Sequence, residues 1–282
     1  MKAKFIAIET GNFKLDGGAM FGVVPKSMWN KIYPSDENNL CNWSMRCMLY
    51  DDGVNRVLVD TGIGTKQDDK FLGHYYLNGE ATLINSLAQA GYKPNDITHV
   101  LLTHLHFDHC GGAVTKNADD ALTTTFPNAV YWVSAAQWKW ANNPNGREKA
   151  SFLPENFKPI EKSGQLVLVD KEDYLLPNLR VKFFNGHTDG QMLPFFENNS
   201  QTLVYMADVL PSSAHLPMPY IMSYDTRPLL TLEERKWFYA EASSNNYALF
   251  LEHDLHTQCM KIALTDKGYK SDWKGSLSEL YL

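Results

Sequence analysis

The sequence predicts a mixed α and β fold, α/β or α+β in class, in a single domain over residues 1–282. Three observations predict it. Short apolar runs with the partial alternation of half-buried strands recur along the chain, and stretches with apolar residues at helical spacing interrupt them. No Pro/Gly/Ser linker, charge run or low-complexity tract divides the sequence. With 282 residues, 44% of them hydrophobic and 12% aromatic, it has the material for one large core.

The elements follow in order. KFIAIET (4–10), SMRCMLY (44–50) and VNRVLVD (54–60) read as strands with turn residues between them. LINSLAQAGY (83–92) reads as a helix, with Gly91 at the C-cap and Pro94 beyond it. HVLLTH (99–104) is a short apolar run of the buried-strand kind, which puts His104 at the carboxyl end of a strand. Another apolar run covers 129–133, and a Trp-rich helical stretch follows from Ser134 to Ala141. A polar segment with several prolines then reaches about Gly164. QLVLVD (165–170), LRVKFFN (179–185) and TLVYMAD (202–208) read as strands. TLEERKWFYAEA (231–242) reads as a helix opened by Thr231 and Glu234 in capping-box spacing, and YALFLEHD (247–254) as a last strand.

Charge and composition exclude several roles. The net charge is −6 and the basic residues do not cluster, so the footprint of a nucleic-acid binder is missing. The N-terminus lacks an apolar stretch followed by a small-residue cleavage site, and no run approaches the roughly 18 apolar residues of a membrane helix. Cys41, Cys47, Cys110 and Cys259 form no CxxC pair and read as reduced thiols. These features predict a cytoplasmic protein with neither a nucleic-acid nor a membrane partner; a homodimer is left open.

The stretch THLHFDHCGG (103–112) carries the chemistry. It crowds His104, His106, Asp108 and His109 into six positions. A lone histidine is most often a hydrogen-bonded core or surface residue, but four ligand types at one strand end ask for a metal. Neutral imidazole and carboxylate are ligands for zinc, iron, cobalt or manganese. On an extended loop, residues two apart point the same way, so His104 and His106 can close on one ion while Asp108 and His109, past a turn, reach a second. Gly111 and Gly112 let the backbone pass close to the cluster. Further ligands stand near other strand ends: His187 in NGHTDG, Asp208 in YMADVL and His253 in FLEHD.

HxHxDH at 104–109, then His187 in GHT, Asp208 and His253, in that order and with LVDTG at 58–62, resemble the metallo-β-lactamase superfamily of hydrolases. The resemblance spans roughly residues 44–254. It implies an α+β fold, a four-layer αββα sandwich, with two divalent metal ions and a bridging hydroxide. Zinc is the first expectation; iron, manganese or cobalt are the alternatives. The same resemblance implies that His104, His106 and His187 hold the first ion, that Asp108, His109 and His253 hold the second, that Asp208 bridges them and that Asp60 braces the ligand loop. Two divalent ions, two aspartates and a hydroxide leave such a centre at about +1, which suits an ester, lactone or phosphoryl oxygen.

Departures refine the resemblance. The thioesterase branch reads GHTPGH, where this chain has Asp189 and Gln191. Flavodiiron proteins carry Glu where His106 stands, and true β-lactamases lack an aspartate at the position of Asp208. Phe107, the stretch FKLDGGAMFGVVPKSMW and the stretch ADVLPSSAHLPMPYIMSYD resemble N-acyl homoserine lactone lactonases and related organophosphate hydrolases. Those lactonases carry a tyrosine three positions after the bridging aspartate; this chain has Pro211. His215, Tyr220 and Tyr224 in the following loop are the candidate replacement donors, and Asp108 is the candidate proton carrier. The expected reaction is hydrolysis of a lactone or ester, with phosphotriesters, phosphodiesters or thioesters as alternative substrates. Met20, Phe21, Met28 and Trp29 suit either a substrate pocket or ordinary core packing. The Trp138 and Trp140 helix suits either a cap on the site or a plain amphipathic role. His74, His99 and His256 read as ordinary surface or core residues, and Cys110 as a small packed one.

Overall fold

A computed structural model describes residues 3–198 and 201–280. The chain forms two compact units, each assembled from separated stretches. The first unit comprises the chain up to Gly11, Met45–Glu172 and Gly190–Met192. The second comprises Asn12–Ser44, Asp173–Asp189 and Leu193 onwards.

The first unit is built on a six-stranded sheet. Its strands are β1 (Lys4–Asp16), β2 (Leu40–Asp51), β3 (Arg56–Val59), β4 (His99–Leu101), β7 (Val130–Ser134) and β8 (Leu166–Val169), in that spatial order. β1 and β2 each continue into residues of the second unit. A separate two-stranded ribbon joins β5 (Val114–Lys116) and β6 (Leu122–Thr124). β3, β4, β7 and β8 run parallel, and β2 is antiparallel to β3. Leu58, Val100, Leu102, Tyr131 and Val133 pack with Leu87, Phe157 and Ile160, from two helices, into one buried cluster. Parallel strands align their carboxyl ends, and loops leaving those ends are where α/β sheets place their sites. Asp60 follows β3, and the HLHFDH loop follows β4.

The second unit has a seven-stranded sheet in the order β15-β14-β13-β12-β11-β10-β9. The strands are β9 (Tyr174–Leu176), β10 (Leu179–Phe184), β11 (Gln191–Asn198), β12 (Gln201–Tyr205), β13 (Ala248–Phe250), β14 (Cys259–Thr265) and β15 (Gly268–Gly275). β12 and β13 are parallel, with Tyr205 opposite Phe250, and the helix Pro228–Ser244 makes the crossover. Asp208 lies three residues past Tyr205, and His253 three past Phe250. Because the strand ends are in register, the two side chains leave the sheet at the same level. His187 stands three past Phe184, the end of β10, and His104 three past Leu101 in the first unit.

Most of the elements read from the sequence are present, with shifted ends. Gly91 has φ +87°, as a C-cap requires. Pro154–Lys162, in the polar segment, is a helix that starts on Pro154 and tolerates Pro159. β11 escaped the sequence because Pro194 interrupts its apolar run. β15 escaped because it is an edge strand with a mostly polar alternation. The helix read from Thr231 begins three residues earlier, on Pro228, so Thr231 and Glu234 do not cap it. Met20, Phe21 and Trp29 are buried and Met28 is exposed.

The two glycines after the motif are required by crowding. A methyl group on Gly111 would overlap the Ile63 carbonyl, and one on Gly112 the Thr61 carbonyl. Both obstacles are backbone and cannot swing aside. Gly111→Ala is therefore expected to destabilise the fold by about 1–3 kcal/mol or more. Urea denaturation with unchanged m-value reads this directly, and a midpoint equal to wild type would show that the close approach is not real.

Candidate metal centre

Asp60 organises the ligand loop of the first unit. Its Oδ1 accepts the Thr103 amide at 2.8 Å, and its Oδ2 accepts the Thr103 hydroxyl at 2.7 Å and faces His109 Nδ1 at 3.1 Å. Asp60 is fully buried and holds φ at +57°, a conformation that a non-glycine residue keeps only when its surroundings enforce it. With Nδ1–H donated to a carboxylate, His109 presents its Nε2 lone pair outward, 3.7 Å from Asp108 Oδ2.

The same accounting fixes the other rings. Thr103 spends its hydroxyl proton on Asp60, so His104 Nδ1, 3.1 Å from that oxygen, is the donor and Nε2 keeps the lone pair. His106 Nε2 lies 3.5 Å from Glu148 Oε1. Glu148 is buried, and its Oε2 is held by Trp140 Nε1 and Asn145 Nδ2, each at 2.7 Å. A proton on His106 Nε2 leaves the lone pair on Nδ1, which faces His104 Nε2 at 3.1 Å. Two imidazole lone pairs so close repel unless a proton or a cation lies between them.

The second unit repeats the pattern around Asp208. His187 Nδ1 donates to Asp225 Oδ1 at 2.8 Å, and His253 Nδ1 donates to the Ser44 carbonyl at 2.8 Å. Both Nε2 atoms then point their lone pairs at one carboxylate: His187 is 3.0 Å from Asp208 Oδ2 and His253 is 3.1 Å from Asp208 Oδ1. Burial alone would lower the His187 pKa, but Asp208 and Asp225 outweigh it and raise it to about 10. Without a metal, the ring has to carry a proton to sit there. A divalent ion at each Nε2 satisfies the same demand, so the donor set fits the metal chemistry. Ala207, just before Asp208, has φ +40°, a second strained residue, this one beside a candidate ligand.

The remaining sequence candidates are placed as follows. His215 is fully buried, with Nδ1 on Ser212 Oγ at 2.7 Å and Nε2 on the Met20 carbonyl at 2.9 Å. Its ring stacks on Phe21 with centroids 4.6 Å apart. With both nitrogens engaged, it braces the Met20–Phe21 segment. Tyr220 is partly buried, edge-on to Phe21, and its carbonyl accepts from Arg235. Tyr224 is 39% exposed. The Pro211 carbonyl accepts the His253 amide at 3.1 Å, so this residue ties the two ligand loops of the second unit together through its backbone. Sequence reasoning missed Glu148, Asp225, Thr231, Glu234 and Ser44. Only the Thr231 and Glu234 spacing carried a signal, and it was read as a helix cap.

The family is now plain. The profile of the Metallo-beta-lactamase superfamily matches residues 46–250, and the chain belongs to that superfamily. The fold is accordingly the α+β fold of the metallo-β-lactamase type. A probable metal-dependent hydrolase from Staphylococcus aureus has a similar structure: TM-score 0.89 and 29% identity, covering 99% of this chain and 98% of that one. A dizinc quorum-quenching lactonase, crystallised in complex with its product, aligns with TM-score 0.80 at 19% identity, covering 98% and 95% of the two chains; that likeness is one of fold. Among curated relatives, an N-acyl homoserine lactonase of Bacillus cereus is 26% identical over 179 residues, which is 60% of this chain and 64% of the relative. No helix among the described residues is long and apolar enough to cross a membrane.

His215 generates a pH prediction. Burial first, then Arg235, pushes its pKa from 6.5 down to about 3. The unfolded chain binds the proton more readily than the folded one in that window, so His215 lowers stability as pH falls from 6.5 towards 3. His215→Gln is expected to be less stable at neutral pH yet to show a flatter dependence of the urea midpoint on pH. Parallel curves for the two proteins would mean that the ring titrates normally.

Proposed function

We propose that His104, His106, Asp108 and His109 together with His187, Asp208 and His253 hold two divalent metal ions, and that the chain hydrolyses lactones or esters as one domain over residues 1–282. The observation that carries the reading is Asp208, whose two oxygens each meet an Nε2 from a ring already committed through Nδ1. Zinc suits this nitrogen and oxygen set, with iron, manganese or cobalt as alternatives. Bound ions would supply the acidity that makes water a nucleophile near neutral pH and the charge that polarises a substrate carbonyl.

The chain's own residues divide the remaining work. Asp208 contributes negative charge between the two histidines. Asp60 and Asp225 hold the back nitrogens of His109 and His187, so that each ring keeps its lone pair forward, and Glu148 faces His106 Nε2 across 3.5 Å. Asp108 is the proton carrier at the reacting oxygen. We assign the substrate-facing donor to the Tyr220 hydroxyl in preference to His215, because both His215 nitrogens already have partners. Lactones are the favoured substrate class because curated relatives of this chain are N-acyl homoserine lactonases. Pro211 lacks a side-chain donor, so selectivity for acyl homoserine lactones should be looser than in enzymes with tyrosine there.

Two outcomes test this. Protein purified without chelator is expected to hold close to two metal equivalents, and Asp208→Asn to lose metal and turnover together. Two retained equivalents and a wild-type rate in Asp208→Asn would refute the assignment. Separately, the metal-loaded protein is expected to open simple lactones and aryl esters, with slower phosphotriester cleavage. Tyr220→Phe should lower kcat/KM for a lactone roughly 100-fold with metal content intact, the scale of one oxyanion donor. Turnover confined to phosphoesters would sink the lactonase reading and favour the phosphoesterase alternative.

A further inference from the structure

The loop that carries His187 is fastened at every peptide by the segment 225–235. The Asn185 and Gly186 amides donate to Glu234 Oε1 and Oε2 at 2.6 and 3.0 Å. The carbonyls of Asn185, Gly186 and His187 accept from Arg227 Nη1, the Arg227 amide and the Thr226 amide at 2.8, 2.8 and 3.0 Å. The ring is held as well. His187 Nδ1 donates to Asp225 Oδ1, and Asp225 Oδ2 accepts the Thr231 hydroxyl at 2.8 Å. Gly186 lies so close to Thr231 that a methyl group there would overlap its backbone and side chain. Asp225, Thr231 and Glu234 are all buried.

Burying two carboxylates costs free energy, offset here by the His187 ring 2.8 Å from Asp225 and by the Arg227 charge acting on Glu234. Helix formation does not require them, since the helix begins on Pro228, and Thr231 and Glu234 lie inside it. Among the described residues, everything the three side chains bond belongs to the His187 loop or to one another, apart from a long contact from Thr231 to the Arg227 carbonyl. Glu234 sets the path of the loop, Asp225 sets the tautomer and angle of the ring, and Thr231 sets Asp225.

We propose that Asp225, Thr231 and Glu234 form a positioning relay for His187, making its Nε2 a stronger and better-aimed donor to a divalent cation. The proposal rests on His187 being a metal ligand. Such outer partners typically govern affinity by about 10- to 100-fold.

The test is equilibrium competition for Zn²⁺ against a chromophoric chelator. It uses wild type, His187→Ala, Asp225→Asn, Glu234→Gln and the milder Thr231→Val, with the d–d spectrum of the Co²⁺-loaded proteins and the thermal midpoint of the apo-proteins alongside. In Asp225→Asn and Glu234→Gln one of two cations should bind about tenfold or more weakly, the other within about twofold of wild type, with an altered cobalt spectrum. Thr231→Val should show the same selective loss, smaller in size. Unchanged affinity in these variants would overturn the relay. So would equal weakening of both cations in step with a lowered apo midpoint, the signature of a merely structural role. If His187→Ala binds two cations as tightly as wild type, the ligand assignment itself fails, a result distinct from failure of the relay.

Discussion

A carboxylate with an imidazole lone pair aimed at each oxygen is not stable when buried, and much of the second unit is arranged around that fact. His187 and His253 have given their Nδ1 protons to Asp225 and to the Ser44 carbonyl. What remains at Nε2 is electron density facing electron density across 3.0 and 3.1 Å. Only a proton or a cation between them relieves the repulsion. The first unit holds the equivalent arrangement in His104 and His106, whose facing nitrogens are 3.1 Å apart. A site of this kind exchanges protons for a cation, so occupancy by a metal would be coupled to pH.

Holding such groups in place explains where strain and anchoring are concentrated. Asp60, itself the bracing carboxylate, and Ala207, one residue before Asp208, take positive φ angles. Asp60 is repaid by three hydrogen bonds to Thr103 and His109. The Ser44 peptide accepts the His253 ring and donates its own amide to the His253 carbonyl, while the Ser44 hydroxyl reaches the Glu252 and Asp254 carbonyls. His109 and His253 are thus each fixed through Nδ1, which leaves Nε2 for a candidate cation. This is the outer architecture expected where ring orientation decides affinity.

The loop after Asp208 is held largely through its backbone. Proline at 211 forfeits a side-chain donor, but its carbonyl takes the His253 amide. Arg235, fully buried, gathers the carbonyls of Val209, His215 and Tyr220, giving the loop a single path. His215 is absorbed into that scaffold and stacked on Phe21. Tyr220, edge-on to Phe21, is tied into the same scaffold by its carbonyl, while its hydroxyl has no hydrogen-bond partner among the described residues.

By itself the sequence determined the candidate ligand types, their order and their positions just past strand ends. Those follow from local rules: apolar runs end where polar ligands begin, and HxHxDH packs too many donors into six positions to be accidental. The close backbone passage at Gly111 and Gly112 was legible for the same reason, whereas Asp60 as a brace came from the resemblance of LVDTG to a known motif. Glu148, Asp225 and Ser44 had no such signature, since a carboxylate behind an imidazole is defined only by chain segments far apart in sequence: Glu148 is 42 residues from His106, and Asp225 is 38 from His187. Thr231 and Glu234 had the spacing of a helix cap, and three residues of additional helix turned both toward the His187 loop instead. His215 likewise looked available until folding placed the Met20 carbonyl and Ser212 on its two nitrogens. Which residues can bind a metal is a property of side-chain chemistry, legible one position at a time. Which nitrogen faces the metal is a property of what lies behind each ring, and only the tertiary structure brings that into place.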